Sequence, residues 1–144
     1  MDESANIYKP GITVEEVQKT GVGTLAEALG IQIIEINGNS ITATMPVDQR
    51  TIQPQGILHG GASVALAETV GSISANLTID HSKQYCVGLE INANHIRAVR
   101  SGFVTAVSNP LHIGRSTQVW EIRITDEKGK LVCVSRLTVA ILNK

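Results

Sequence analysis

Between His59 and Ile79 the chain reads HGGASVALAETVGSISANLTI, and its apolar residues are spaced as on a helix. Leu66, Val70, Ile73 and Leu77 recur at intervals of 4, 3 and 4, which draws one apolar stripe on a surface with 3.6 residues per turn. A helix over 60–79 would be roughly 30 Å long. The opposite face is predicted to consist of the small residues Ala65, Gly71, Ser72 and Ala75, with Glu68 among them, the only ionisable side chain from Gly60 to Ile79. A helix that is apolar or small all round is a buried one, so the pattern predicts a carboxylate partly withdrawn from water, an expensive placement for an unpaired charge. Either Glu68 reaches the surface or a single buried hydrogen bond, or it is held for chemistry.

Elsewhere the period is two. Residues 31–36 and 40–47 flank Asn37-Gly38, a dipeptide that tolerates positive φ and marks a tight hairpin. Ile41, Ala43, Met45 and Val47 alternate with Thr42 and Thr44, one face buried and one wet. Four further strands are predicted at 84–99, 102–109, 116–125 and 131–142, with turns at 100–102, at Asn109-Pro110 and at 126–129. Such brief connections require antiparallel neighbours. Ahead of these, Thr13 is predicted to cap a helix that carries Glu15 and Glu16 in its first turn and runs to Leu29, where Gly30 stops it. Residues 1–10 are polar and expected to be loosely ordered; residues 48–58 form an irregular connection. The predicted fold is α+β, a single domain over 1–144 in which a six-stranded antiparallel sheet wraps one long helix.

Composition narrows the function classes. A chain of 144 residues is one domain's worth, and 42% hydrophobic with 17% charged residues is that of an ordinary globular protein. A net charge of −1 supplies no basic stripe for a nucleic-acid duplex, so any polyanionic partner must be small and met by a few local cations. Cys86 and Cys133 lack metal-ligand spacing, are read as free buried thiols, and no metal site is predicted. With no leader-like segment and no apolar run of 18 residues, neither a membrane nor export is implied, and a cytoplasmic location is expected.

The segments QPQGILHGGASVALAET, VGLEINANH and SRLTVAIL together resemble the hotdog-fold acyl-CoA thioesterases, in particular the branch of 4-hydroxybenzoyl-CoA, phenylacetate-pathway and 1,4-dihydroxy-2-naphthoyl-CoA thioesterases. The resemblance covers 31–142. It implies an acyl-CoA substrate and no cofactor, since CoA is part of that substrate. It also implies a homo-oligomer, a dimer of dimers with the active site between subunits. Residue chemistry agrees. Gly60 and Gly61 stand where a helix opens, and its first N–H groups have no internal partner and lie at the positive end of the dipole. The resemblance assigns the oxyanion-binding N–H to Gly60 and the catalytic carboxylate to Glu68, as nucleophile or as general base on water. His59 would orient the loop, and Gln53 would donate to the thioester. Ser72, one turn beyond Glu68, can hydrogen-bond the carboxylate or place a water, or it can simply permit close packing. Substrate and CoA contacts are implied at Gly61, Gly88, His95, Ile96, Arg97, Ala98, His112, Gly114, Arg115, Ser116 and Arg136.

Two other functions compete with hydrolysis: a hydratase or dehydratase on the same fold, whose histidine and acid fall in a different pattern, and an acyl-CoA sensor, which would need a DNA-binding unit for which little chain is left. The four aromatic residues, Tyr8, Tyr85, Phe103 and Trp120, cannot build an aromatic cage. An acyl pocket lined by aliphatic and small side chains is expected, and the resemblance points to hydroxybenzoyl-type or dihydroxynaphthoyl-type acyl groups, with short and medium acyl chains the alternative.

Overall fold

The computed structural model describes residues 6–144; the expectation of loose order for residues 1–5 lies outside them. Nine elements follow one another: α1 (Val14–Lys19), α2 (Leu25–Ala28), β1 (Gln32–Asn37), β2 (Ser40–Pro46), α3 (Gly60–Asn76), β3 (Gln84–His95), β4 (Phe103–Ile113), β5 (Thr117–Thr125) and β6 (Leu131–Asn143). The strands form one antiparallel sheet in the order β1-β2-β4-β5-β6-β3, and α3 packs on five of them, β2 to β6. This is the hotdog fold, with β1 and β3 at the edges. No helix among the described residues is long and apolar enough to cross a membrane.

The residues beneath α3 explain how closely the sheet wraps it. Its buried side chains are Ser63, Leu66, Ala67, Val70, Gly71, Ser74 and Ala75, so the apolar stripe predicted through Ile73 and Leu77 is corrected. Both are only half-buried, while Gly71 and Ala75, expected on the face of Glu68, point into the core. Small residues win the core side because the sheet leaves no room for larger ones. A Cβ added to Gly71 would lie 2.8 Å from Leu137 Cδ2 and 3.2 Å from Ile122 Cδ1, and both leucine and isoleucine are fully buried. Gly71→Val is therefore expected to destabilise the protein by about 1–3 kcal/mol through overpacking, read as a lowered thermal midpoint; an unchanged midpoint would show that the core yields there.

Four boundaries differ from those expected. Helix α3 spans 17 residues and stops at Asn76, because Asn76 Nδ2 donates to Ser72 O and the Thr78 hydroxyl to Ala75 O, satisfying carbonyls that a further turn would have used. The segment from Thr13 to Leu29 is two short helices, not one, broken where Gly21 and Gly23 frame Val22 and Gly23 takes φ +74°. Strand β3 ends at His95, four residues early. No turn forms at Asn109-Pro110: β4 runs on to Ile113, with Pro110 beside a bulge between Pro110 and His112 where its missing N–H breaks no regular ladder. The chain reverses instead at Gly114–Ser116, where Gly114 N donates to Thr117 O. Residues 6–10 are also better held than expected: Ile7 N donates to Gly38 O at 3.1 Å, and Tyr8 is only 5% exposed, its phenol pushed up to about 12 by burial and partly offset by the Ser74 hydroxyl. Both cysteines carry free thiols that burial pushes up.

Candidate active site

The connection from β2 to α3 is tied down at every few residues. The buried Thr51 hydroxyl donates to Pro46 O at 2.7 Å, Gln53 N donates to Ile57 O, His59 N to Thr51 O, and Leu58 N to Val99 O at 2.7 Å. Gly56 turns the loop at φ +76°. This scaffold delivers Gln53 beside the opening of α3. The Gln53 side-chain oxygen accepts from Gln55 N, which leaves its NH₂ group as the end free to donate into the adjoining cavity.

His59 is the N-cap of α3, and its Nδ1 accepts from Gly61 N at 2.8 Å. Two consequences follow. The imidazole is held as an acceptor at Nδ1, a capping role rather than that of a free base, and the Gly61 N–H is already used. Among the described residues the Gly60 N–H has no acceptor, so of the two glycines it is Gly60 that offers a donor at the positive end of the helix. The His95 imidazole lies directly over it: a Cβ on Gly60 would meet His95 Nε2 at 2.9 Å. Gln53, Gly60, His95, Ile96, Arg97 and Ala98 share one cavity of about 340 Å³.

Glu68 is elsewhere. Eight residues along α3 place it roughly 12 Å from Gly60 at 1.5 Å per residue, half-buried, with Oε1 against Gly88 of β3, where a Cβ would stand only 2.9 Å away. Gly88 thus makes room for the carboxylate, at the point where β3 carries a bulge between Gly88 and Glu90. Glu68, Ser72 and Ile73 of α3 line a separate cavity of about 360 Å³ whose other walls come from α1, α2, the turn between them and the start of β1, with Val17, Ala26, Ile31 and Ile33 among them. Gln18 clamps α1 to that wall, accepting from Ile33 N at 2.7 Å and donating to Ile31 O. Sequence reasoning had given this N-terminal segment no functional part; its only signal was the buried-type spacing of Val14 and Val17.

The remaining expected contact residues divide by position. His112, Gly114, Arg115 and Ser116 sit at the β4–β5 hairpin, level with Val87 and Ala140. Within one chain that is eight strand residues from His95, roughly 25 Å at about 3.3 Å per residue. Arg136, exposed between buried Ser135 and Leu137 and opposite Glu121 and Asn92, lies on the sheet face away from α3 and joins neither cavity.

Comparison with known proteins identifies the family. The sequence profile of the thioesterase superfamily matches residues 55–133, which include both Gly60 and Glu68. The chain is 52% identical to the 1,4-dihydroxy-2-naphthoyl-CoA hydrolase of Escherichia coli over 94% of its own length and 99% of that protein. It is also 52% identical to the proofreading thioesterase EntH of Cronobacter turicensis, over 94% and 98% of the two chains. Among solved structures, a mutant thioesterase from Pseudomonas aeruginosa superposes with a TM-score of 0.94 at 46% identity, covering 96% of this chain and 99% of that one. With a family profile over more than half of its length and relatives about half identical along nearly all of it, the chain belongs to the thioesterase superfamily and is a thioester hydrolase.

Proposed function

We propose that the protein hydrolyses aryl acyl-CoA thioesters at a site completed by two copies of the chain. The observation that carries this reading is the separation within one chain of the two groups the reaction needs: the Gly60 N–H and the Glu68 carboxylate open into different cavities. A second copy can supply the missing half. Strand β3 is a 12-residue edge strand whose outer backbone groups have no neighbour in the sheet, and Tyr85, Val87 and Leu89 stand exposed along it. Antiparallel pairing of β3 with its own copy satisfies that edge. It also reverses direction, which carries the hairpin of His112–Ser116 in one copy towards the end of β3 that bears His95–Ala98 in the other. The two groups of expected CoA contacts then belong to one site, and a further pairing into a tetramer is compatible with it.

In the proposed reaction the Gly60 N–H and the Gln53 amide stabilise the oxyanion that forms on the thioester carbonyl. Glu68 of the facing copy either takes a proton from water as it attacks, or attacks itself, expelling CoA thiolate and leaving an anhydride that water cleaves to free acid. Ser72, which lines the same cavity as Glu68, would hold that water. His59 acts by capping, and apart from water the reaction calls on no group beyond the protein and its CoA-bearing substrate.

Acyl choice rests on the cavity that Glu68 and Ser72 line. It has a volume of about 360 Å³ and is lined mainly by aliphatic side chains, room enough for a flat ring, and one relative is named for a dihydroxynaphthoyl ester. Benzoyl-type and naphthoyl-type CoA esters are expected to exceed palmitoyl-CoA in kcat/KM by at least about tenfold, about 1.4 kcal/mol in transition-state binding. A panel of acyl-CoA esters assayed for free thiol checks this, and a preference for palmitoyl-CoA would overturn it.

A further inference from the structure

Val17, Thr20 and Ile73, which line the cavity of Glu68 and Ser72, also form one side of a neighbouring hollow of about 310 Å³ that Asn76, Leu77 and His81 complete. The two are successive sections of one cleft, with α1 and its cap Thr20 on one side and α3 on the other. Nothing in the reaction described above uses the second section. The chain that follows α3 is held in place beside it: Asp80 Oδ1 accepts from Ser82 N at 3.0 Å, Gln84 N donates to Asp80 O at 2.8 Å, and His81 O accepts from Lys144 Nζ at 2.6 Å. His81 therefore stands at a fixed point of the rim.

The second section ends in polar groups whose bonding can be read. Ser72 O can only accept, so Asn76 turns Nδ2 to it, at 2.8 Å, and among the described residues Asn76 Oδ1 accepts from no group. The Thr20 hydroxyl spends its proton on Val17 O at 2.7 Å and likewise has only lone pairs left to offer. Among the described residues no lysine or arginine lines either section. Two acceptors without a cation suit a neutral donor, a hydroxyl, and leave a carboxylate unmatched.

Glu68, Ser72 and Asn76 are spaced by four and so lie in one row along α3, roughly 12 Å long at 1.5 Å per residue. Side chains on a helix lean towards its N-terminus, and that of Glu68 is one methylene longer than that of Asn76. The gap from the carboxylate to the amide is thus no shorter than the row, nearer to the length of two fused rings than of one. We propose that the acyl pocket continues past Ile73 into the second section, where Asn76, with His81 at the rim, receives a hydroxyl on the far ring of a bicyclic aryl acyl group; this rests on the aryl acyl-CoA reading of the neighbouring site. Asn76 is then a specificity-determining residue a little over two helical turns from the bond that is cut.

Three esters test this on the full chain: 2-naphthoyl-CoA, 6-hydroxy-2-naphthoyl-CoA and 6-methoxy-2-naphthoyl-CoA, the last of which cannot donate. Wild type is expected to favour the hydroxy ester in kcat/KM about fivefold over each of the others, as one hydrogen bond to a neutral acceptor allows. In Asn76→Leu the three esters should come within about twofold of one another. A general loss of packing at position 76 would lower kcat/KM for all three together and leave their ratios alone, so the ratios separate recognition from a structural role. Equal kcat/KM for the hydroxy and methoxy esters in wild type would overturn the proposal, with no variant needing to fold. A preference that survives in Asn76→Leu would overturn it as well. Wild type that hydrolyses benzoyl-CoA but none of the naphthoyl esters would show that the pocket ends at Ile73. Failure on benzoyl-CoA too would instead refute the aryl acyl-CoA reading, and the proposal with it.

Discussion

Glu68→Gln is expected to lower kcat by about 10²–10⁴-fold, the range that removal of a positioned base or acid commonly costs, while the thermal midpoint stays level or rises. The substitution keeps the shape of the side chain against Gly88 and removes a charge from a half-buried position on a helix with no cation in its first or last turn, so folding loses little. KM should change less than kcat, because the carboxylate acts on the reacting carbonyl and not on the CoA tail. Near wild-type kcat in Glu68→Gln would refute its proposed role. A single turnover in heavy-oxygen water then separates the two routes. Label in the Glu68 carboxylate marks attack by Glu68 with water opening the anhydride at the enzyme carbonyl, whereas direct attack by water on the thioester never labels the enzyme.

The second large effect concerns Gly60. Gly60→Pro removes the one N–H proposed to bind the oxyanion and should lower kcat by about 10²–10³-fold. The backbone is ready for it. Position 60 is the first residue of α3, where proline costs no helical hydrogen bond, and His59 already has φ −68° and ψ 130°, the extended conformation that a residue before proline adopts. The ring displaces only the exposed His95 imidazole. Each variant alone should be nearly inactive, but unfolding and refolding an equal mixture of Gly60→Pro and Glu68→Gln chains should restore activity to about a quarter of wild type. Half of the pairs are mixed, and each mixed pair has one site with neither defect, as two-fold symmetry requires. No recovery, in a mixture shown to contain mixed pairs, would mean that Gly60 and Glu68 do not serve one site from two copies.

The site was legible where chemistry follows local spacing. HGG before an uncharged helix identified the donor end, and Glu68 stood out because burying a lone carboxylate has to be explained. His59 as a cap is likewise a local matter, settled by the Nδ1 bond to Gly61. The part played by α1 and α2 was not legible, because nothing in residues 14–28 says that they will cover Glu68; that follows from Gln18 reaching the backbone of β1. Nor did the sequence say to which face of the sheet Arg136 would turn, since a strand residue is sent to one face or the other by register alone.

What the sequence by itself determined is the order of groups along each element: six strands with their buried faces, the hairpin at Asn37-Gly38, and Gly60 and Glu68 about two turns apart on one helix. These depend on a fixed rise and rotation per residue. The tertiary structure alone decided which face of α3 the sheet would take. Ile73 and Leu77 are the more apolar residues, yet Gly71, Ser74 and Ala75 are the ones that fit beneath Leu137 and Ile122. It alone made β3 an edge, carried β4 through Pro110, and set Val17 and Thr20 beside Ile73 and Asn76 along one cleft. Such neighbourhoods arise from pairings between residues far apart in the chain, and these are selected by packing the whole domain at crystal-like density rather than by any local preference.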